Sequence, residues 1–288
     1  MPAPEPVSLP AAAGPDAAAD LALLSEAAET AAGIALSHWR RDPKVWDKGG
    51  EAGPVTEADL EVDVCLRERL RAARPSYGWM SEETPDDPAA RAGETLFIVD
   101  PIDGTRAFAR GEAVWAHALA VVHAGRPVAA VVHLPAKDVR YAAAAGFGAT
   151  RDGRAIAADR AAPGLDSADV LVGRQALAEP LWRGPVPSVS RHFRPSLAYR
   201  IALVAEGRFH GMLTLKDAWE WDVAAGALIA EEAGATVTDR SGRPLRFNAP
   251  GRKTPGILAA PPARHAETLA RLVPGVGLGC PARRAPDA

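Results

Sequence analysis

A layered α/β (α+β) fold is what this sequence predicts, on three observations. A long stretch near the start carries apolar residues at helical spacing. Antiparallel hairpin patterns follow in the first half, and short strands alternate with helices through the second. The 288 residues, 48% hydrophobic and 24% charged, are enough for two such subdomains sharing one core. The expected division is 16–160 and 161–274, with the loop-like DRAAPGLDS near the boundary and flexible tails at 1–15 and 275–288.

Each element has a local cause. Leu21, Leu24, Ala28, Ala31, Ile34 and Ala35 mark one face of a helix from Asp16 to Arg41, stopped by Pro43. The segment WDKGGEAGPV is glycine-rich and expected to be loop. Thr56 caps a second helix running to Ala73, with Leu60, Val64 and Leu70 on its apolar side. Strands are expected at Tyr77–Met80 and Thr95–Val99, the latter stopping at Asp100. Ala116–Val122 and Pro127–His133 form a hairpin around AGR, and Val139–Ala145 follows. In the second half, strands are expected at Val170–Gly173, Ser188–Ser190, Phe209–Leu215, Ala235–Thr238 and Gly256–Ala260. Helices are expected at Ser196–Ala205, Val223–Ala233 and Pro262–Leu272.

Composition excludes several classes. Gly and Pro number 26 each, below the range of disordered or collagen-like chains. A formal charge of -3 is too weak to imply a polyanion-binding or membrane-surface role by itself. No apolar stretch reaches a membrane span, and the first residues lack the pattern of a secretory signal. The two cysteines, Cys65 and Cys280, lie far apart without metal-ligand spacing, so a reducing compartment and a cytoplasmic location are expected. Cys65 is expected to be an inert packed residue, and His117, His123 and His133 do not form a zinc spacing.

The chemistry lies in carboxylates at element ends. Leu96–Val99 is a buried-type strand that delivers Asp100 where α/β proteins place ligands. Pro101 stiffens the turn, Asp103 returns a second carboxylate, Gly104 permits positive φ, and Thr105 opens a short helix whose first N–H groups could hold a phosphate. Two carboxylates so close repel unless a cation sits between them, and oxygen-only ligands favour Mg²⁺, Mn²⁺ or Ca²⁺. Taken alone, Asp100 and Asp103 would more simply shape a plain β-turn, where Asp is common. Ser81-Glu82-Glu83 could be a charged loop, Asp222 a helix cap, and Thr56 with Asp59 a capping arrangement. Four such sites together favour a shared cation centre.

These residues carry a resemblance. VDPIDGT, SEE, the VTEAD segment ending at Asp59, and WDVAAGALIAEEAGA from Trp221 are similar to the inositol monophosphatase family. That family includes 3'(2'),5'-bisphosphate nucleotidases and relatives of fructose-1,6-bisphosphatase, and the likeness runs from about Leu21 to Leu272. It implies an αβαβα sandwich and a Mg²⁺-dependent phosphomonoesterase with two or three ions between the halves. Carried over by residue, Glu82, Asp100 and the Ile102 carbonyl would hold one metal; Asp100, Asp103 and Asp222 would hold a second. Asp59 and Thr105 would lie beside the attacking water, oriented also by Glu82, with Glu83 standing behind the ligands. The N–H groups of Gly104 and Thr105 would meet phosphate oxygens.

Substrate choice is less directly written. Arg106 after DGT, the LVAEG ending and Arg200 resemble the nucleotidase branch, while Pro195-Ser196 departs from the family's glycine-initiated helix. Arg200 and Lys216 are candidates for a second phosphate, as in 3'-phosphoadenosine 5'-phosphate; Asp103 and Asp222 would also face substrate. The alternative is an inositol or other polyol phosphate, for which only Asp217 and Glu220 offer an acidic hydroxyl partner. Trp219 is expected to wall the site. The expected partner is a small phosphorylated metabolite, without nucleic-acid polymer or membrane, and family analogy suggests a homodimer. A non-catalytic metal-binding module is the reading from another class.

Overall fold

Helix α1 (Ala17–His38) opens the structure, a computed structural model that describes residues 15–49, 53–161, 164–275 and 277. The expected tails lie outside the described residues except for 15, 275 and 277. Asp16 caps α1 by accepting from the N–H groups of Ala18 and Ala19 at 3.1 Å. The helix stops three residues before Arg41, because Trp39 and Arg40 donate to the Glu112 and Gly111 carbonyls and the backbone turns to φ +62° at Arg40. Where a loop is expected, β1 (Val45–Asp47) pairs antiparallel with β2 (Pro54–Thr56). Thr56 then starts α2 (Glu57–Ala73) in a capping box with Asp59.

Strands β3 (Gly78–Ser81) and β4 (Thr95–Asp103) are parallel; the short helix α3 (Thr105–Ala109) follows β4. Next come β5 (Ala116–His123), β6 (Arg126–Leu134), β7 (Val139–Ala144), β8 (Ala149–Arg151) and β9 (Arg154–Ile156), which join β3 and β4 in one seven-stranded sheet in chain order. β4 runs past its expected stop. Asp100 faces Ala118 and Asp103 faces Ala116, so one extra residue bulges out at Pro101-Ile102. A proline is tolerated there because the bulge already breaks the ladder.

The second half supplies β10 (Asp169–Val172), β11 (Ser190–His192), α4 (Leu197–Ala205), β12 (Gly211–Thr214), β13 (Ala218–Trp219) and α5 (Ala224–Glu232). It ends with β14 (Thr236–Thr238), β15 (Lys253–Thr254), β16 (Ile257–Ala260) and α6 (Pro262–Arg271). The five-stranded sheet has the order β11-β10-β12-β16-β14, its first three strands parallel and the rest antiparallel.

Burial divides these elements into αβαβα layers. Phe97, Val99, Leu119 and Val121 point toward α1 and α2, meeting Leu24, Ala28, Val62 and Leu66. Ile98, Ala120 and Val122 point the other way, toward Ile201, Val204, Val223 and Ile229 of α4 and α5, which also cover Met212 and Ala259 of the second sheet. The outer face of that sheet packs Val172, Leu213 and Leu258 beneath Leu269 and Leu272. A central sheet covered on both sides explains why its strands read as continuous apolar runs. Each buried Leu, Ile or Phe contributes about 1.5–3 kcal/mol. The middle layer locks the carboxyl end of β4 against the first turns of α4 and α5, which is where the acidic residues meet.

Candidate metal centre

Asp100 sits at the end of the regular part of β4, Asp103 just beyond the bulge, and Asp222 in the turn before α5. One oxygen of each lies within 4.8 Å of the others. Asp222 does not cap α5: Val223 holds that position, with no side-chain cap bond. Asp100 is only 1% exposed, and its Oδ1 has no hydrogen-bond partner. Burial, reinforced by the charges of Glu82, Asp103 and Asp222, pushes the Asp100 carboxyl well above its ordinary range. Burial and then Asp103 and Glu82 do the same to Asp222. An orphaned, dry oxygen facing two more carboxylates fits a hard divalent cation, which takes oxygen ligands and reverses the repulsion.

Asp103 is held differently. Ser196 Oγ donates to its Oδ2 at 2.6 Å, and the N–H groups of Ala198 and Leu197 donate at 2.7 and 3.2 Å. Burial raises its pKa, while those donors and then the Arg200 charge oppose the rise.

Glu82 follows β3, and its N–H donates to the Val99 carbonyl at 3.2 Å, one residue before Asp100. Lys48, in the turn after β1, donates to Glu82 Oε1 at 2.8 Å and to Glu83 Oε1 at 2.9 Å. Sequence reasoning missed Lys48, whose approach depends on the β1–β2 ribbon. Burial, then the Glu82 charge, lifts Glu83 to about 7.

Asp59 has two roles at once. Its Oδ2 accepts from the Thr56 N–H and hydroxyl at 2.8 and 2.5 Å, closing the capping box. Its Oδ1 faces Thr105 Oγ1 at 3.1 Å, and the same hydroxyl lies 3.1 Å from the Ile102 carbonyl. Desolvation, partly opposed by Thr56, raises Asp59 to about 6. Gly104 takes φ +104° to bring the chain from Asp103 into α3.

Glu82, Asp100, Asp103, Gly104, Thr105 and Asp222 line one cleft of about 340 Å³, walled by Trp219, Phe193 and Arg106. Trp219 is stacked on Trp221 at 4.8 Å between ring centroids. Arg200 and Lys216 are not in that cleft. They open with Arg174 into a neighbouring recess of about 280 Å³, and Phe193 borders both spaces. Arg174 and Phe193 carry no sequence motif and were not expected. Glu220 is buried and accepts from the N–H groups of Asn248 and Ala249 at 2.5 and 2.8 Å, whereas Asp217 pairs with Arg240 at 2.6 Å. A larger groove of about 710 Å³ between α1 and α2 has apolar walls at Ile34, Leu60 and Val64 and none of the aspartate triad. Cys65 lines that groove and is half-buried, so it is not the packed residue expected: its position on α2 points past the core. His117 and His133 have ring centroids 6.2 Å apart but hydrogen-bond backbone carbonyls of Pro101 and Ala28, a packing role.

A layered α/β sandwich with an acidic cluster that could hold a metal ion is the architecture of a class of metal-dependent phosphatases. Residues 17–277 match the model of the inositol monophosphatase family, and the chain belongs to that family: it is a hydrolase of phosphate monoesters. It is 35% identical over 203 residues to an inositol-1-monophosphatase of Rhizobium meliloti, covering 67% of this chain and 74% of the relative. It is 30% identical over 200 residues to the 3'(2'),5'-bisphosphate nucleotidase CysQ of Escherichia coli, covering 67% and 79%. Among solved structures, the Thermotoga maritima IMPase superposes with a TM-score of 0.73 at 27% identity, over 88% of this chain and 95% of that one. Among the described residues no helix is long and apolar enough to cross a membrane.

Proposed function

We propose that the chain is a Mg²⁺-dependent phosphomonoesterase acting on a small metabolite with a second anionic group, with 3'-phosphoadenosine 5'-phosphate as the representative substrate. The orphaned Asp100 Oδ1 within the aspartate triad carries the reading of a cation-dependent site. Glu82, Asp100, Asp103, Asp222 and the Ile102 carbonyl would hold two or three ions. Those ions supply Lewis acidity for water and for the phosphoryl oxygens. The protein's own part is positioning. Thr105 Oγ1 donates to Asp59 and keeps a lone pair for a water hydrogen. Asp59, raised to about 6, has a proton affinity suited to accepting a proton relayed through that hydroxyl near neutral pH. Glu82 orients the same water, and the N–H groups of Gly104 and Thr105 bind phosphate oxygens.

The second anionic group is supported by the recess beside the cleft. It lies at the carboxyl ends of the adjacent parallel strands β10 and β12, the usual place for a ligand in such sheets. Arg174, Arg200 and Lys216 line it without a carboxylate among its walls. Asp217, the nearest acid in sequence to Lys216, is engaged by Arg240. An inositol phosphate is the alternative, supported by relatives such as the Rhizobium meliloti enzyme. Neither acidic candidate for its hydroxyls faces the cleft, which favours the anionic reading.

Phosphate release from 3'-phosphoadenosine 5'-phosphate and from inositol 1-phosphate, at equal concentration across a Mg²⁺ titration, tests this. The expected result is preference for the bisphosphate, lost in Arg174→Ala and Lys216→Ala through a higher KM. Preference for inositol phosphate overturns the substrate class, and absence of Mg²⁺-dependent release from either overturns the wider reading.

A further inference from the structure

Asp63 lies one helical turn beyond Asp59 on α2 and is 4% exposed, and its hydrogen-bond partners among the described residues are hydroxyls. Its Oδ1 accepts Ser81 Oγ at 2.5 Å and its Oδ2 accepts Thr84 Oγ1 at 2.9 Å. Ser81 and Thr84 bracket Glu82 and Glu83. Each bracket makes a further bond: Thr84 Oγ1 accepts Trp79 Nε1 at 3.0 Å, and Ser81 Oγ accepts the Glu83 N–H at 3.4 Å. The turn is therefore pinned at both ends to one carboxylate, and Glu82 is pinned in the middle to the Val99 carbonyl.

We infer that Asp63 is a positioning residue: through Ser81 and Thr84 it sets the place of Glu82 relative to the aspartate triad. Burying a carboxylate without a cation is unfavourable unless directed hydrogen bonds compensate it. The neighbouring α2 positions Val62 and Leu66 pack apolar side chains into the core, so an apolar residue here would serve the fold alone. What the carboxylate adds is two directed acceptors that Ser81 and Thr84 can both reach, which fixes the turn's orientation rather than its burial. α2 thus sends Asp59 to Thr105 and, one turn on, Asp63 to the glutamate turn, coupling both walls of the cleft to a single helix. The inference rests on Glu82 being a metal ligand, as proposed above.

Mn²⁺ binding by the full-length protein, followed by electron paramagnetic resonance, tests it beside the Mg²⁺ concentration for half-maximal phosphate release. Outer partners of metal ligands typically change affinity by about 10–100-fold, and Asp63→Ala is expected to weaken Mn²⁺ binding within that range. The pair Ser81→Ala with Thr84→Val, which leaves the packing of α2 intact, is expected to reproduce most of the loss, and Asp63→Asn a part of it. These two variants decide the matter if Asp63→Ala does not fold. Circular dichroism confirms that each measured variant is folded. Unchanged affinity in the folded Asp63 or Ser81/Thr84 variants, beside a weakened Glu82→Gln, overturns the positioning role alone. Unchanged affinity in Glu82→Gln overturns the metal assignment of Glu82 and the positioning role with it.

Discussion

Ser196 donates its hydroxyl to Asp103 at 2.6 Å across 93 residues of chain. The same oxygen accepts the Tyr199 N–H at 3.0 Å as the cap of α4. One hydroxyl therefore ties the acidic turn after β4 to the first turn of a helix in the other half. The aspartate faces N–H groups at a helix start, a favourable place for negative charge.

Removing that hydroxyl is expected to weaken the whole junction. Ser196→Ala loses a helix cap, about 1 kcal/mol, and leaves the buried Asp103 short of a donor, about 1–3 kcal/mol. Urea unfolding of the metal-free protein should show a loss of roughly 2–4 kcal/mol in total. A change below about 0.5 kcal/mol would mean that the Leu197 and Ala198 N–H groups suffice.

The triad itself should be dispensable for folding and required for turnover. Asp103→Asn and Asp222→Asn are expected to lower Mg²⁺-dependent phosphate release by at least about 10²–10³-fold, the scale on which electrostatic stabilisation is lost. Circular dichroism spectra should match those of the parent chain. Near-normal release in either variant would remove that residue from the centre.

His117 makes stability depend on pH. Burial lowers its pKa to about 4, while its ring hydrogen-bonds the Pro101 carbonyl within the bulge. The folded value lies below the unfolded one of about 6.5, so the unfolded state binds the proton first. The contribution is fully present above about 6.5 and is lost as pH falls through about 4. At about 1.4 kcal/mol per pKa unit, this amounts to roughly 3 kcal/mol over that window. The parent chain should lose that much more stability than His117→Asn between pH 7 and pH 4, measured by urea unfolding. Parallel curves for the two proteins would show that the buried ring does not govern the acid limb.

Gly104 should tolerate no side chain. Its φ is +104°, and an added Cβ would lie 3.2 Å from the Val114 carbonyl oxygen and 3.5 Å from Trp115 Cα. Gly104→Ala combines backbone strain of about 1–3 kcal/mol with a close contact to main chain. Thermal unfolding should show a lower midpoint, with phosphate release reduced because Asp103 and Thr105 flank the distorted residue. An unchanged midpoint would mean that the turn relaxes without strain.

The longer helices and strands, the layered class and the acidic residues at element ends were legible in the sequence alone. Apolar periodicity, the Thr56–Asp59 capping pattern and the Asp-Pro-Ile-Asp-Gly turn are local, and local chemistry dictates them. The β1–β2 ribbon, the β8–β9 hairpin and the extension of β4 were missed because three-residue strands and a bulge leave almost no periodic signal. Lys48 beside Glu82, Asp63 beneath the glutamate turn, and Phe193 between the cleft and its basic recess belong to the tertiary structure alone. So does the placement of Arg200 and Lys216 along the neighbouring recess, with the Arg200 charge still felt by Asp103. A sequence sets which side chains stand at the end of an element. How far those ends lie from one another is set by the packing of α2, α4 and α5 on the two sheets, and the electrostatics of this centre depend on those distances.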